Sequence, residues 1–143
     1  MDEVRVEIKA VRFAEGFYEK MGWKVVNVSK VRGSHSGYDL FLEKDEQRLT
    51  VEVKGCTRLY QIPDLFSTEI DRETLRLIAD ELCVVYYSKE EGSLLGVARI
   101  PREALLPEHI TIKYGYRISG RFKNERSIGP FMVDKSELQG VSE

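Results

Sequence analysis

The chain has 143 residues, 42% of them hydrophobic and 32% charged, with four prolines and a net charge of −2. That length fits one domain with a sizeable core, and the composition is that of an ordinary globular chain. It excludes wholesale disorder, and no apolar run approaches the eighteen or so residues a membrane span needs. The opening MDEVRVEIKAVRF alternates charged and apolar residues and has no signal-peptide core, so a cytoplasmic protein without a membrane partner is expected.

In chain order, Ala10, Ala14, Phe17 and Met21 recur at spacings of three and four, which predicts a helix from about Val6 to Gly22. Lys24 to Val28 reads as a strand, and KVRGSHSG as a Gly/Ser-rich loop. YDLFLEK and RLTVEVKG both alternate and are joined by the polar Lys44–Gln47, so they predict an antiparallel hairpin. In its second strand Leu49, Val51 and Val53 share one face and Thr50, Glu52 and Lys54 the other.

Leu75, Ile78, Ala79 and Leu82 form a stripe that predicts a second helix over Asp71–Leu82, with Ser67, Thr68 and Asp71 as cap candidates. CVVYYS reads as a strand covered on both faces, and SLLGVARI as its antiparallel neighbour. A short helix or turn is expected at Arg102–Leu106, then strands at Ile110–Lys113 and Tyr116–Ile118, with the last residues fraying. The order helix, three strands, helix, strands implies an α/β fold with a mixed β-sheet flanked by helices.

Cys56 and Cys83 lie far apart with no CxxC pair, which argues against zinc or iron–sulfur chemistry and for buried free thiols. His35 and His109 read as isolated loop residues, and Arg58, Tyr60 and Gln61 either meet a substrate or finish the strand. Between Lys113 and Arg126 there are five basic residues and one acid, a net +4 that leaves −6 for the remainder. This strip, with Arg117, Arg121 and Lys123 and with Tyr114, Tyr116 and Phe122 among them, is either a local phosphate-binding surface or a solvated hairpin whose aromatics serve the core.

The chemistry concentrates in the hairpin. If its turn centres on Asp45 and Glu46, Asp39 falls opposite Glu52, and two carboxylates facing the same way can hold one hard cation such as Mg2+, with Mn2+ as substitute. The carbonyl of Val53 suits the same ion. Lys54, on the side of Glu52, can orient water or neutralise a phosphate transition state. Ser36 and Gly37 can meet phosphate from the loop. The plainer alternative is a wet edge strand with opposite charges that contribute little.

The set GYD, then EVKG, behind a helix and a Gly/Ser-rich loop, resembles the PD-(D/E)XK nuclease superfamily. RGSHSGYDL is similar to the corresponding loop of archaeal Holliday junction resolvases and Mrr-type endonucleases. GYDLFLEKDEQRLTVEVKGCT is similar to the nuclease-like domain at the C-terminus of the plant protein NO VEIN. Tyr38 stands where these families often have proline, and nothing from Ile100 onward has a counterpart.

The resemblance implies a restriction-endonuclease-like core at about 8–100 within a single domain of 1–143, with a basic extension at about 109–132. It implies metal-dependent DNA hydrolysis with Asp39, Glu52 and Lys54 catalytic, and it adds Glu15 from the first helix to the metal shell and Ser36, with Ser34 as its competitor, to the substrate contacts. A non-cleaving nucleic-acid module and an RNA-directed nuclease are the alternatives. A homodimer is expected on the ground that two strands need two sites.

Overall fold

The computed structural model describes residues 3–30, 37–61, 64–71, 73–105, 110–113, 117–120 and 128–143. Helix α1 spans Glu3–Lys20, and its buried face is Val6, Ala10, Phe13, Ala14, Phe17 and Tyr18, a stripe of three- and four-residue steps. It ends at Gly22, whose φ of +96° favours a residue without a Cβ. Strand β1 (Lys24–Asn27) follows, then β2 (Leu40–Lys44) and β3 (Gln47–Cys56).

The connection after β3 holds β4 (Asp64–Phe66), β5 (Ile70–Asp71) and β6 (Arg76–Leu77). It leads to β7 (Glu81–Tyr87) and β8 (Leu94–Pro101), then β9 (Ile110–Lys113), β10 (Arg117–Gly120) and the short helix α2 (Lys135–Leu138). The main sheet has the order β1-β2-β3-β7-β8. Only the central β3–β7 pair is parallel, so the sheet is mixed. A second sheet has the order β4-β10-β9. The fold is therefore α/β, with α1 and α2 on one face of the main sheet.

That face buries Val51, Val53, Cys83 and Val85 against α1, with Leu138 and Val141 packed at its margin. The opposite face buries Leu82, Val84, Tyr86, Ala98 and Ile100 under Leu65, Ile70, Leu77 and Leu105. All seven residues of β7 are buried, as expected of a strand covered on both sides. Tyr18 donates its hydroxyl proton to Glu81, which also receives Arg99 through Nε at 2.8 Å and Nη2 at 3.0 Å. This charge-assisted set ties α1 to the start of β7. Cys83 is fully buried beside it and Cys56 is partly exposed; both thiols are free.

The helix expected over Asp71–Leu82 does not form. Asp71 does cap backbone, accepting from the N–H groups of Glu73 at 2.9 Å and Thr74 at 3.3 Å. The chain then reverses at Leu75, with φ at +56°, and β5 pairs with β6 as a hairpin. Ile70 and Leu77 supply its core contacts, and Leu82 already belongs to β7. A cap signal and a four-residue stripe are satisfied here by a tight turn and two short strands.

The C-terminus is also better held than a fraying end. Val133 donates its N–H to Val97 O at 2.8 Å, and the Leu94 N–H reaches the Glu143 carboxylate at 2.8 Å. The short turn after Pro101 forms as a 3-10 helix at Arg102–Ala104. Among the described residues no helix is long and apolar enough to cross a membrane.

Candidate active site

The β2–β3 register pairs Leu40 with Val51 and Lys44 with Gln47, leaving Asp45 and Glu46 at the turn. Continued by one residue, it sets Asp39 against Glu52. Asp39 sits where β2 begins, and its backbone is fixed on both sides. Its N–H donates to Val51 O at 2.9 Å, and its carbonyl accepts from Val28 N at 2.9 Å and Ser29 N at 3.2 Å. The carboxylate itself accepts the Val53 N–H at 2.8 Å. A strand residue directs its N–H and C=O to the same edge, so the Val53 carbonyl also faces the edge that β2 has vacated.

Glu52 and Lys54 are each 4% exposed, on the face of β3 opposite α1. The Glu52 carboxyl is in hydrogen-bond contact with that of Asp39. Burial first, and then the hydrogen bond and charge of Asp39, hold Glu52 far above the usual carboxylate range, so the pair keeps a proton between its two carboxyls. Two carboxyls in contact must share a proton or a cation.

Burial alone would lower the pKa of Lys54, but the neighbouring acids, Glu69 first, outweigh it and the net shift is upward. Lys54 is thus an ammonium, suited to stabilising negative charge and unsuited to acting as a base. Its Nζ lies 3.0 Å from Glu69 Oε2 and 4.7 Å from the centre of the Phe66 ring. The other oxygen of Glu69 accepts the Phe66 N–H at 2.7 Å.

From α1, Glu7 accepts the Gly55 N–H at 3.1 Å. Burial raises its pKa, and the charge of Lys54 partly offsets that rise. Gly55 is what lets the helix come so near. A Cβ there would stand 2.5 Å from Val6 Cγ1 and 2.7 Å from the Val6 carbonyl oxygen, so any side chain would force α1 off the strand. Gly37 has φ of +80° and a Cβ there would meet Ile78 Cδ1 at 2.9 Å, so a glycine is also required in the approach to Asp39.

The structure thus brings Asp39, Glu52, the Val53 backbone and Lys54 together. Glu15 lines a cavity of about 350 Å³ with Glu7, Arg12, Asn27, Ser29 and Asp39. It lies two helical turns from Glu7, roughly 12 Å along the axis. From the same helix, Glu7 couples electrostatically to Lys54 and Asp39. Sequence reasoning also missed Glu69 and Phe66.

Arg117 belongs to β10, paired in register with Phe66 of β4, which brings the backbone of the basic strip to the margin of the cluster. Ser36, Arg121 and Lys123 lie outside the described residues, as do Ser34, His35, His109, Tyr114, Tyr116, Phe122 and Arg126, and the side chains of Lys113 and Arg117. Of the residues following β3, Tyr60 packs toward the core and Gln61 accepts the Tyr86 hydroxyl through its carbonyl at 2.8 Å, while Arg58 is exposed.

Among the described residues no three His, Cys, Asp or Glu side chains form a metal-holding group. A cation here would have two carboxylates and a backbone carbonyl from the protein. That set fits magnesium, which keeps most of its ligands as water or phosphate oxygen, and does not fit an all-protein cage.

No family model matches the chain, and no curated protein matches it. Among solved structures it is similar to a bacterial homing endonuclease, I-Ssp6803I, at 19% identity and a TM-score of 0.49, over 90% of this chain and 88% of that one.

Proposed function

We propose that the chain is a metal-dependent phosphodiesterase acting on nucleic acid, DNA in the first instance. The observation that carries this reading is the contact between the Asp39 and Glu52 carboxyls beside a buried, charged Lys54 at the vacated edge of β3. Isolated ion pairs on a wet strand do not need burial, whereas a shared carboxyl site with one ammonium beside it is the equipment of phosphoryl chemistry.

In this reading Asp39, Glu52 and the Val53 carbonyl hold Mg2+ or Mn2+, which supplies charge neutralisation at the phosphate and a more acidic water. Lys54 stabilises the negative charge that develops on the phosphate oxygens. Glu69 keeps that ammonium charged and aimed, and Glu7 closes the site from α1. Glu15 belongs to the rim of the adjoining cavity, and Ser36 with the basic strip at Arg117, Arg121 and Lys123 supplies phosphate contacts.

The Lys54–Glu69 ion pair favours a second reading, in which Lys54 is a structural charge and the fold binds nucleic acid without cutting it. Manganese titration by calorimetry together with cleavage of duplex, branched and single-stranded DNA and of RNA separates the two. The expected result is manganese binding accompanied by proton release, with magnesium-dependent product from DNA. Asp39→Asn should lose both, with its melting temperature preserved. Equal manganese affinity in wild type and Asp39→Asn would rule out the site.

A further inference from the structure

Phe66 is an exposed aromatic residue at the edge of the cluster. Its strand neighbour Leu65 is fully buried, yet the Phe66 ring is 45% exposed. It is also held in place. Glu69 accepts the Phe66 N–H with one carboxylate oxygen and the Lys54 ammonium with the other, so one side chain sets both the backbone of the ring and the charge beneath it. The ring centre stands 4.7 Å from Lys54 Nζ, a cation–π distance. On the sheet edge, β4 pairs with β10, which carries part of the basic strip.

An aromatic ring fixed beside a cation that attracts phosphate has the make-up of a stacking platform. Such platforms accept any base, because every base has a π-face. They cannot take a base already stacked on both sides.

Resting on the nuclease reading above, we infer that Phe66 stacks on the nucleobase next to the phosphate held at Lys54, so that the preferred substrate has an interrupted duplex there: a gap, a branch point or a single-stranded segment. Phe66 is then a specificity-determining residue. It selects for a base already released from its neighbours, and Lys54 receives the phosphate attached to it.

The test uses fluorescein-labelled DNA in three forms of one sequence: continuous duplex, the same duplex with a short gap, and single strand. Each is titrated by anisotropy in EDTA with wild type, Phe66→Ala, Phe66→Leu and Phe66→Trp, and then assayed for cleavage with magnesium. Melting curves establish that the variants are folded, which the exposure of the ring favours. The expected result is gapped DNA bound at least tenfold tighter than continuous duplex by wild type and by Phe66→Trp. Phe66→Ala and Phe66→Leu should lose that advantage with little change on duplex. A 2-aminopurine at the gap should be quenched by wild type and not by Phe66→Ala.

Affinities of Phe66→Ala that match wild type on all three forms, or that fall equally on all three, overturn the inference even if the wild type cleaves DNA. Wild type that neither binds nor cleaves any form overturns the nuclease reading, and the inference with it.

Discussion

Replacing Lys54 by methionine is expected to lower stability by about 3–5 kcal/mol, a fall of roughly 10–25 °C in melting temperature. The cause is not lost attraction. Lys54 and Glu69 have side chains only 6% and 12% exposed, so removing the ammonium strands a carboxylate that little water reaches. The double variant Lys54→Met/Glu69→Gln should recover most of the loss. It removes both charges and leaves an amide oxygen to accept the Phe66 N–H. That recovery makes the pair the right background for a catalytic test. If the ammonium stabilises charge on the transferring phosphate, the folded double variant should still lose about 10²–10³-fold in cleavage rate. Wild-type rates in the double variant would reduce Lys54 to a structural ion. Failure of the second substitution to restore stability would show that the cost lies in packing and not in the stranded charge.

Glu52→Gln is expected to do the opposite to stability, in a manner that depends on pH. The Glu52 carboxyl is held far above its ordinary value, by burial first and by Asp39 second. In the unfolded chain it titrates near 4.3. Between those limits the folded protein keeps a proton that the unfolded protein releases, so stability falls as pH rises, by up to about 1.4 kcal/mol per pH unit. Below pH 4 both states are protonated and the cost vanishes. Glutamine has the same shape, donates to Asp39 as the protonated acid does, and does not titrate. Melting curves of wild type and Glu52→Gln should therefore nearly coincide at pH 4.5 and separate progressively toward pH 8, the variant being the more stable. Parallel curves across that range would mean that Glu52 does not hold its proton and that the carboxyl pair is not strained.

The hairpin was legible because two independent signals agree there. Alternation in Leu40–Lys44 and Gln47–Lys54 fixes which side chains share a face, and the two-residue turn at Asp45–Glu46 fixes the register, so Asp39 falls against Glu52 with no freedom left. The helix carboxylate was not legible in the same way. Glu7, Val11 and Glu15 lie on one side of α1 at four-residue steps, and periodicity cannot choose between the two acids. Where the helix crosses β3, which the Gly55–Val6 contact sets, brings Glu7 onto the Gly55 N–H and leaves Glu15 along the cavity beside Asp39. Glu69 was out of reach because it acts from a 3-10 turn between short strands, Ser67–Glu69, where no period exists. The misread helix at Asp71–Leu82 has the same origin. An acidic cap and a four-residue apolar spacing also describe a hairpin whose turn is capped by Asp71 and whose reversal is at Leu75.

The full burial of Cys83 has a chemical consequence. Burial pushes its thiol up to about 12, so almost none of it is thiolate at neutral pH, and the whole of β7 shields it. An alkylating reagent reaches that sulfur when α1 lifts from the sheet. Because α1 also carries Glu7, which accepts the Gly55 N–H, the opening that exposes the thiol also withdraws Glu7 from β3. Cys56, partly exposed, marks the fast phase of the same labelling reaction, so the slow phase clocks the hold of α1 on the sheet under native conditions.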